Sequence, residues 1–430
     1  MISATTIRTL LSSRPTALLL ASALALPALA TKLLIPMDDS QRDHLKAYGV
    51  AFWTLQRDVP VEWLLNYRGG SFLIEHFQVI EQELKVRGVT FQVIADAQAG
   101  AILNEIADPE VNMEAVKLEK APKIAVYAPE SFQPWDDAVA LVMQYAEIPY
   151  ERIYDPQVIA GVLPQYDWLH LHHEDFTGQY GKFYRSYSNA PWYRAQVEES
   201  EAMAAQLGFA KVSQMKLAVA LKIRDYVAGG GYLFTMCSGT DSYDIALAAE
   251  GVDICAAEFD HDPIDPACQS KIDFNRSLAF REFKLITDPM IYEFSDIDAT
   301  DIHGRIGQPR DFFTLFDFSA KWDIVPTMLC QSHEQVVRGF MGQTTAFRKD
   351  LVKPGITVMG ENKAQGTVKY IHGEFALGQW TYYGGHDPED YQHMVGDPPT
   401  DLSLHPNSSG YRLILNNILF PAARKRKQKT

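Results

Sequence analysis

Cysteine is scarce in this chain: Cys237, Cys255, Cys268 and Cys330 are the only ones in 430 residues, and no two form a C-x-x-C pair. That excludes a zinc ribbon and a dense disulfide framework. Basic residues are also in deficit, 39 against 54 acidic ones, giving a net charge of −15. Such a balance argues against a nucleic-acid partner, because non-specific affinity for a polyanion comes from neutralising its phosphates. No internal repeat of solenoid or propeller period is visible. Beyond the first thirty residues no apolar run is long enough to cross a bilayer. What the chain does have is 47% hydrophobic and 22% charged residues, the balance of a chain that buries a large core. Its length fits two or three domains, or one large α/β unit with insertions.

The first thirty residues read as a secretory signal. Arg8 and Arg14 supply the positive start, Ala17 to Leu26 the apolar run, and Ala28-Leu29-Ala30 the small residues that a signal peptidase reads. Cleavage after Ala30 predicts a periplasmic or otherwise exported protein with no membrane anchor. Two arginines and no acid leave with the signal, which takes the net charge from −15 to −17. Outside the cytosol no ATP pool is expected, so ATP-driven synthetase chemistry is disfavoured.

The mature chain divides by pattern. Residues 31–116 read as a mixed α/β module, with strands at Lys32 to Pro36 and Val89 to Ile94 and a helix over Phe72 to Val86 whose apolar face carries Phe72, Ile74, Phe77 and Ile80. Residues 117–259 alternate strand and helix: Lys123 to Tyr127, a helix with Ala138, Leu141, Val142 and Tyr145 on one side, Tyr166 to His172, helices over 192–207 and 212–227, and Tyr232 to Met236. That order predicts a parallel sheet with helices on both faces. Residues 260–357 turn irregular and strand-rich and read as an insertion over the sheet. Residues 358–423 complete the core with a hairpin and a closing helix, and 424–430 form a basic tail.

In open α/β sheets ligands bind beyond the carboxyl ends of the strands, and three clusters fall there. Met236-Cys237-Ser238-Gly239-Thr240-Asp241 lies between a strand and a helix, where a sharp turn lifts a nucleophile and the helix N-terminus can hold an oxyanion. Cys237 is the candidate nucleophile, with Ser238, Gly239 and Asp241 as binding residues. The second cluster is His170, His172, His173, Glu174 and Asp175. Imidazole and carboxylate side chains together can hold a divalent transition metal or form an acid/base pair, and His172, His173 and Glu174 are the candidate ligands. In the third cluster Gly384 and Gly385 let the backbone turn closely beside a ligand, His386 is a candidate general base, and Asp387 and Glu389 supply carboxylates.

The strand, turn and helix around Cys237, the late Gly384-Gly385-His386 and the closing Leu413-Ile-Leu-Asn-Asn-Ile418 resemble the class I glutamine amidotransferase-like fold, in particular its ThuA-like branch, over 120–255 and 358–421. The family's G-x-C-x-G turn meets Thr235 in place of its first glycine. Its closing H-x-E meets His386 with the glutamate one place late, at Glu389. A second resemblance runs nearly end to end. Leu34-Ile-Pro-Met-Asp-Asp39, His170 to Asp175 and His386-Asp-Pro-Glu-Asp390 are similar to exported bacterial proteins labelled asparagine synthetase B. Ser238-Gly-Thr-Asp-Ser242 is similar to the S-G-G-x-D-S loop of genuine asparagine synthetases but one residue short, and Ile2 stands where those enzymes carry a nucleophilic cysteine.

These readings predict an exported amidotransferase-like hydrolase acting on an amide or glycosidic bond, with Cys237, His386 and Glu389 catalytic and a small molecule or glycan as ligand. The alternatives are a non-catalytic periplasmic protein that binds a ligand or an envelope partner in the same crevice, and the glutamine-hydrolysing asparagine synthase of the family label.

Overall fold

The computed structural model describes residues 31–131 and 136–423. The expected signal segment, residues 1–30, and the basic tail, 424–430, lie outside them. The N-terminal module is an antiparallel sheet of five strands, β1 (Thr31–Ile35), β2 (Val61–Leu65), β3 (Ser71–Glu75), β4 (Gln92–Ala95) and β5 (Glu114–Leu118), in the order β4-β1-β3-β2-β5. It ends at Leu118, two residues past the boundary read from sequence.

The stretch expected to be one helix over Phe72 to Val86 is a strand followed by a shorter helix, Gln78–Val86. Period two wins because both faces of β3 are buried: Phe72 and Ile74 point into one apolar cluster and Leu73 into another. The helix His44–Leu55 had no sequence signal for a related reason. It is buried almost all round, so it carries no amphipathic stripe.

The second sheet is built from β6 (Ile124–Tyr127), β7 (Glu151–Ile153), β8 (Trp168–Leu171), β9 (Tyr232–Met236), β10 (Phe312–Leu315), β11 (Val336–Arg338), β12 (Phe347–Arg348), β13 (Thr357–Asn362), β14 (Thr367–Phe375) and β15 (Gly378–Tyr383). The order is β11-β10-β13-β14-β15-β9-β8-β6-β7, with β12 paired to β14 off this path. From β15 to β7 the five strands are parallel. From β14 to β11 they are antiparallel.

Helices cover both faces of the parallel part. Leu233 joins Val219, Ile223 and Tyr243 on one side, while Phe234 and Met236 join Val139, Val142 and Leu413 on the other. Short strands buried on two faces are near-continuous apolar runs, which is why β6 and β9 are legible as Ile-Ala-Val-Tyr and Tyr-Leu-Phe-Thr-Met. The segment read as an insertion over the sheet is in part an extension of it: β10 and β11 lengthen the antiparallel edge, and only loops such as 339–346 pass over the strand ends.

One apolar cluster runs from Leu33, Tyr48 and Trp63 in the first module to Tyr383 and the closing helix Ser409–Leu419. Arg412 on that helix is fully buried, and its guanidinium donates to Met37 O at 3.0 Å and Gly69 O at 2.6 Å. No helix among the described residues is long and apolar enough to cross a membrane.

Candidate functional site

Strand register brings the three sequence clusters together. Tyr383 pairs with Met236 across β15 and β9, and Thr235 pairs with Leu171 across β9 and β8. The residues that follow, Gly384 to His386, Cys237 and His172, therefore leave adjacent strand ends side by side. Gly239 N–H donates to His172 O at 2.7 Å, and a Cβ at Gly239 would sit 2.4 Å from that oxygen, so the close approach of the two chains requires glycine. Cys237 N–H donates to Gly385 O at 3.2 Å.

The imidazoles form the centre. His172 Nε2 lies 3.1 Å from His386 Nδ1. The His173 ring stacks on His386 at a centroid distance of 5.9 Å, and His393 stacks on it at 4.1 Å. The ligand atoms of His172, His173 and His386 all lie within 4.8 Å of one another. His172 and His386 are buried, whereas His173, His393 and Asp136 are half-exposed and form the side open to solvent.

Asp137 anchors the cluster from below. It caps the helix Ala138–Tyr145 by accepting from Val139 N–H and Ala140 N–H at 2.8 and 3.0 Å. The same oxygen stands 3.3 Å from His170 Nε2 and 3.5 Å from His172 Nδ1, both electrostatic contacts rather than hydrogen bonds. Burial alone would raise the pKa of Asp137, but the two imidazoles and the helix amides outweigh it and hold the carboxyl well below the usual carboxylate range.

Two neighbouring histidines are pushed in opposite directions. Burial, helped by His393 and His173, lowers His386 to about 3, so it is neutral. His393 is raised, chiefly by its hydrogen bond to Asp136 at 3.0 Å and also by Asp390 at 3.1 Å, against the opposing effect of burial.

Cys237 has the elbow expected of it. Its φ is +49°, in the left-handed region, between β9 and the helix Asp241–Ala248. The thiol, however, is sealed. Loop 339–346 covers it, Gln343 N–H donates to Sγ at 3.3 Å, and burial pushes its pKa up to about 11 despite this and the other backbone amides around it. Ser238 is fully buried with an unpartnered hydroxyl, and Asp241 accepts from Thr344 Oγ1 at 2.8 Å, so both lie under that loop rather than in the open crevice.

The remaining predicted residues separate into place-holders and positions near the imidazoles. Glu389 does not complete a triad: its carboxylate takes His405 Nδ1 at 3.0 Å, because the extra residue after His386 turns it towards 405. Asp387 braces its loop by accepting from Thr400 Oγ1 and Glu389 N–H. Glu174 is not grouped with the imidazoles; His386 stands with His172 and His173 in its place. Burial raises the carboxyl of Glu174. Asp175 ties its own loop by accepting from Thr177, Gln179 and Gly181. Sequence reasoning missed Asp136, Asp137 and His393. Asp137 had a readable sign, an aspartate just ahead of an apolar helix. His393 sits in an irregular loop and had none.

A surface hollow of about 590 Å³ lies elsewhere, lined by Trp53, Arg87, Glu147 and Tyr150, and touches none of these strand ends.

No family model and no curated protein sequence matches this chain. Among solved structures it is similar to a cytoplasmic protein from Salmonella typhimurium, with a TM-score of 0.32 and 10% identity over 70% of this chain and 100% of that one. It is similar to a second cytoplasmic protein, from Salmonella typhimurium LT2, with a TM-score of 0.30 and 12% identity over 61% and 88%. It is also similar to Gan42B, a GH42 β-galactosidase from G. stearothermophilus, with a TM-score of 0.26 and 12% identity over 62% of this chain but only 28% of that one. At these scores the likenesses define neither the fold family nor an activity.

Proposed function

We propose that the protein is an exported hydrolase of the class I glutamine amidotransferase-like, ThuA-like architecture, cleaving an amide or a glycosidic bond in the histidine crevice. The observation that carries this reading is the pair His386 and His393, two imidazoles 4.1 Å apart whose environments push one towards neutral and the other towards charged. Titratable neighbours split in this way are the usual arrangement for a base and an acid acting in one step.

In that step a water held by the neutral imidazoles attacks the carbonyl or anomeric carbon and gives up a proton to His386. The C–N or C–O bond breaks, and His393, whose pKa Asp136 and Asp390 raise, gives the leaving group its proton by exchanging one of its two carboxylate hydrogen bonds for one to the leaving group. Water rather than Cys237 is the nucleophile, since a buried neutral thiol without a partnered base is a poor one. The elbow turn and the arrangement of β6, β8, β9 and β15 support the amidotransferase-like ancestry, with the thiol role lost.

The test is a panel of p-nitroanilides, glutamine with coupled ammonia detection, and p-nitrophenyl glycosides, assayed with the wild type and with His393→Gln. Turnover of one class that falls at least about 100-fold in the variant is the expected result. No turnover across the panel, or turnover indifferent to His393, rejects the reading in favour of a ligand-binding or envelope-partner role.

A further inference from the structure

We infer that His172, His173 and His386 bind one divalent transition metal, leaving a coordination position open to water. Nitrogen ligands on a tetrahedral metal, at bonds of about 2.0–2.1 Å, stand roughly 3.3 Å apart. His172 Nε2 and His386 Nδ1 are already 3.1 Å apart, and the third imidazole lies within 4.8 Å of both. His173 Nδ1 is buried and makes no hydrogen bond. Two of the three rings are buried and held by rigid strand ends, so the set is pre-organised. Asp137 beneath His172 supplies the carboxylate that metal-bound histidines generally have behind them, on the nitrogen turned away from the metal.

Among the described residues, none of the other groupings of ligating side chains is both free of competing partners and open to a further ligand. Both nitrogens of His393 are taken by carboxylates. Asp137 and His170 are committed to helix amides and to Phe234 O in a fully buried place with no open position. Asp253 and Asp260 already hold a cation, the Lys211 ammonium, at 2.8 and 2.9 Å. An all-imidazole set selects zinc, iron, cobalt, nickel or copper over magnesium and calcium, which want oxygen. With a metal in place His386 would serve as a ligand rather than a base, the metal would supply Lewis acidity to a bound water, and His393 would keep its role as proton donor.

The inference rests on the crevice assigned above but is read without turnover. Untagged full-length protein, stripped with chelator and dialysed, is titrated with Zn²⁺ by calorimetry and with Co²⁺ by visible absorption. The expected result is one equivalent bound, with the intense d–d bands of low-coordinate cobalt. His173→Ala, on the half-exposed side, and His386→Gln should each weaken binding more than about 100-fold, and Asp137→Asn roughly 10- to 100-fold. His261→Ala, at an exposed residue, should leave binding unchanged, and circular dichroism confirms that each variant is folded. Absence of a bound equivalent, or affinity unmoved by a folded His173→Ala, overturns the inference. Metal binding without hydrolysis of the panel leaves this inference standing and removes the hydrolase reading; hydrolysis by a protein that binds no equivalent of metal does the reverse.

Discussion

The rings of His386 and His393 lie nearly parallel, 16° apart, with their centroids separated by 4.1 Å. The first belongs to the end of a buried strand, the second to a surface loop seven positions on. Burial favours the uncharged form of the one, and hydrogen bonds to two aspartates raise the pKa of the other. Those bonds to Asp136 and Asp390 tie the loop carrying Asp390 and His393 to the helix that begins after Asp137.

Asp241 makes stability depend on pH in a predictable direction. Burial raises its pKa to about 7, well above the ordinary 3.9 of the unfolded chain. A raised carboxyl contributes fully below pH ~4, and the contribution is lost as the pH rises through ~7. Asp241→Asn removes this dependence. Urea denaturation should show the variant gaining on the wild type progressively between pH 4 and pH 7, with a constant difference of a few kcal/mol above that. A difference that shrinks with rising pH contradicts the assignment.

Cys237 should resist alkylation in the native state. With Sγ buried, accepting from Gln343 N–H and titrating near 11, iodoacetamide labelling followed by mass spectrometry should leave it unmodified until denaturant is added. Cys237→Ala should retain hydrolysis to within about threefold, the result of removing a residue that does not act in the transition state. Rapid native labelling, or a loss of more than 100-fold, would restore the thiol to the mechanism.

Gly385 sits at φ +93°, and an added Cβ would lie 2.5 Å from the Phe340 ring and 2.7 Å from Lys369 Nζ. Gly385→Ala combines a disfavoured backbone with overpacking and should cost roughly 2–4 kcal/mol in chemical denaturation. It should also displace His386, so Co²⁺ affinity falls further than the stability loss alone would bring about.

Particular elements show what the sequence could and could not convey. Strands β6, β9 and β15 and the closing helix were legible because their burial pattern is local. The strand β3 was misread because Phe72, Ile74, Phe77 and Ile80 fit a helical spacing as well as a strand followed by a helix, and only the buried place of Leu73 decides between them. At the site, His172, Cys237 and His386 were found by their positions after strands. Their convergence depends on the register of three strands drawn from distant parts of the chain. Glu389 was wrongly enlisted because a one-residue offset looks small in sequence, yet it sends the carboxylate to His405.

Arg412 bonds the carbonyl of Met37, 375 positions earlier in the chain. The first sheet forms within residues 31–118, but the helix His44–Leu55 that packs on it meets the closing helix only once nearly four hundred residues are available. Until then the outer side of that helix, with Tyr48 waiting for Asn416, lacks its partner. Such long-range closure is slow and invites aggregation. A chain truncated before Ser409 is expected to depend on a holdase.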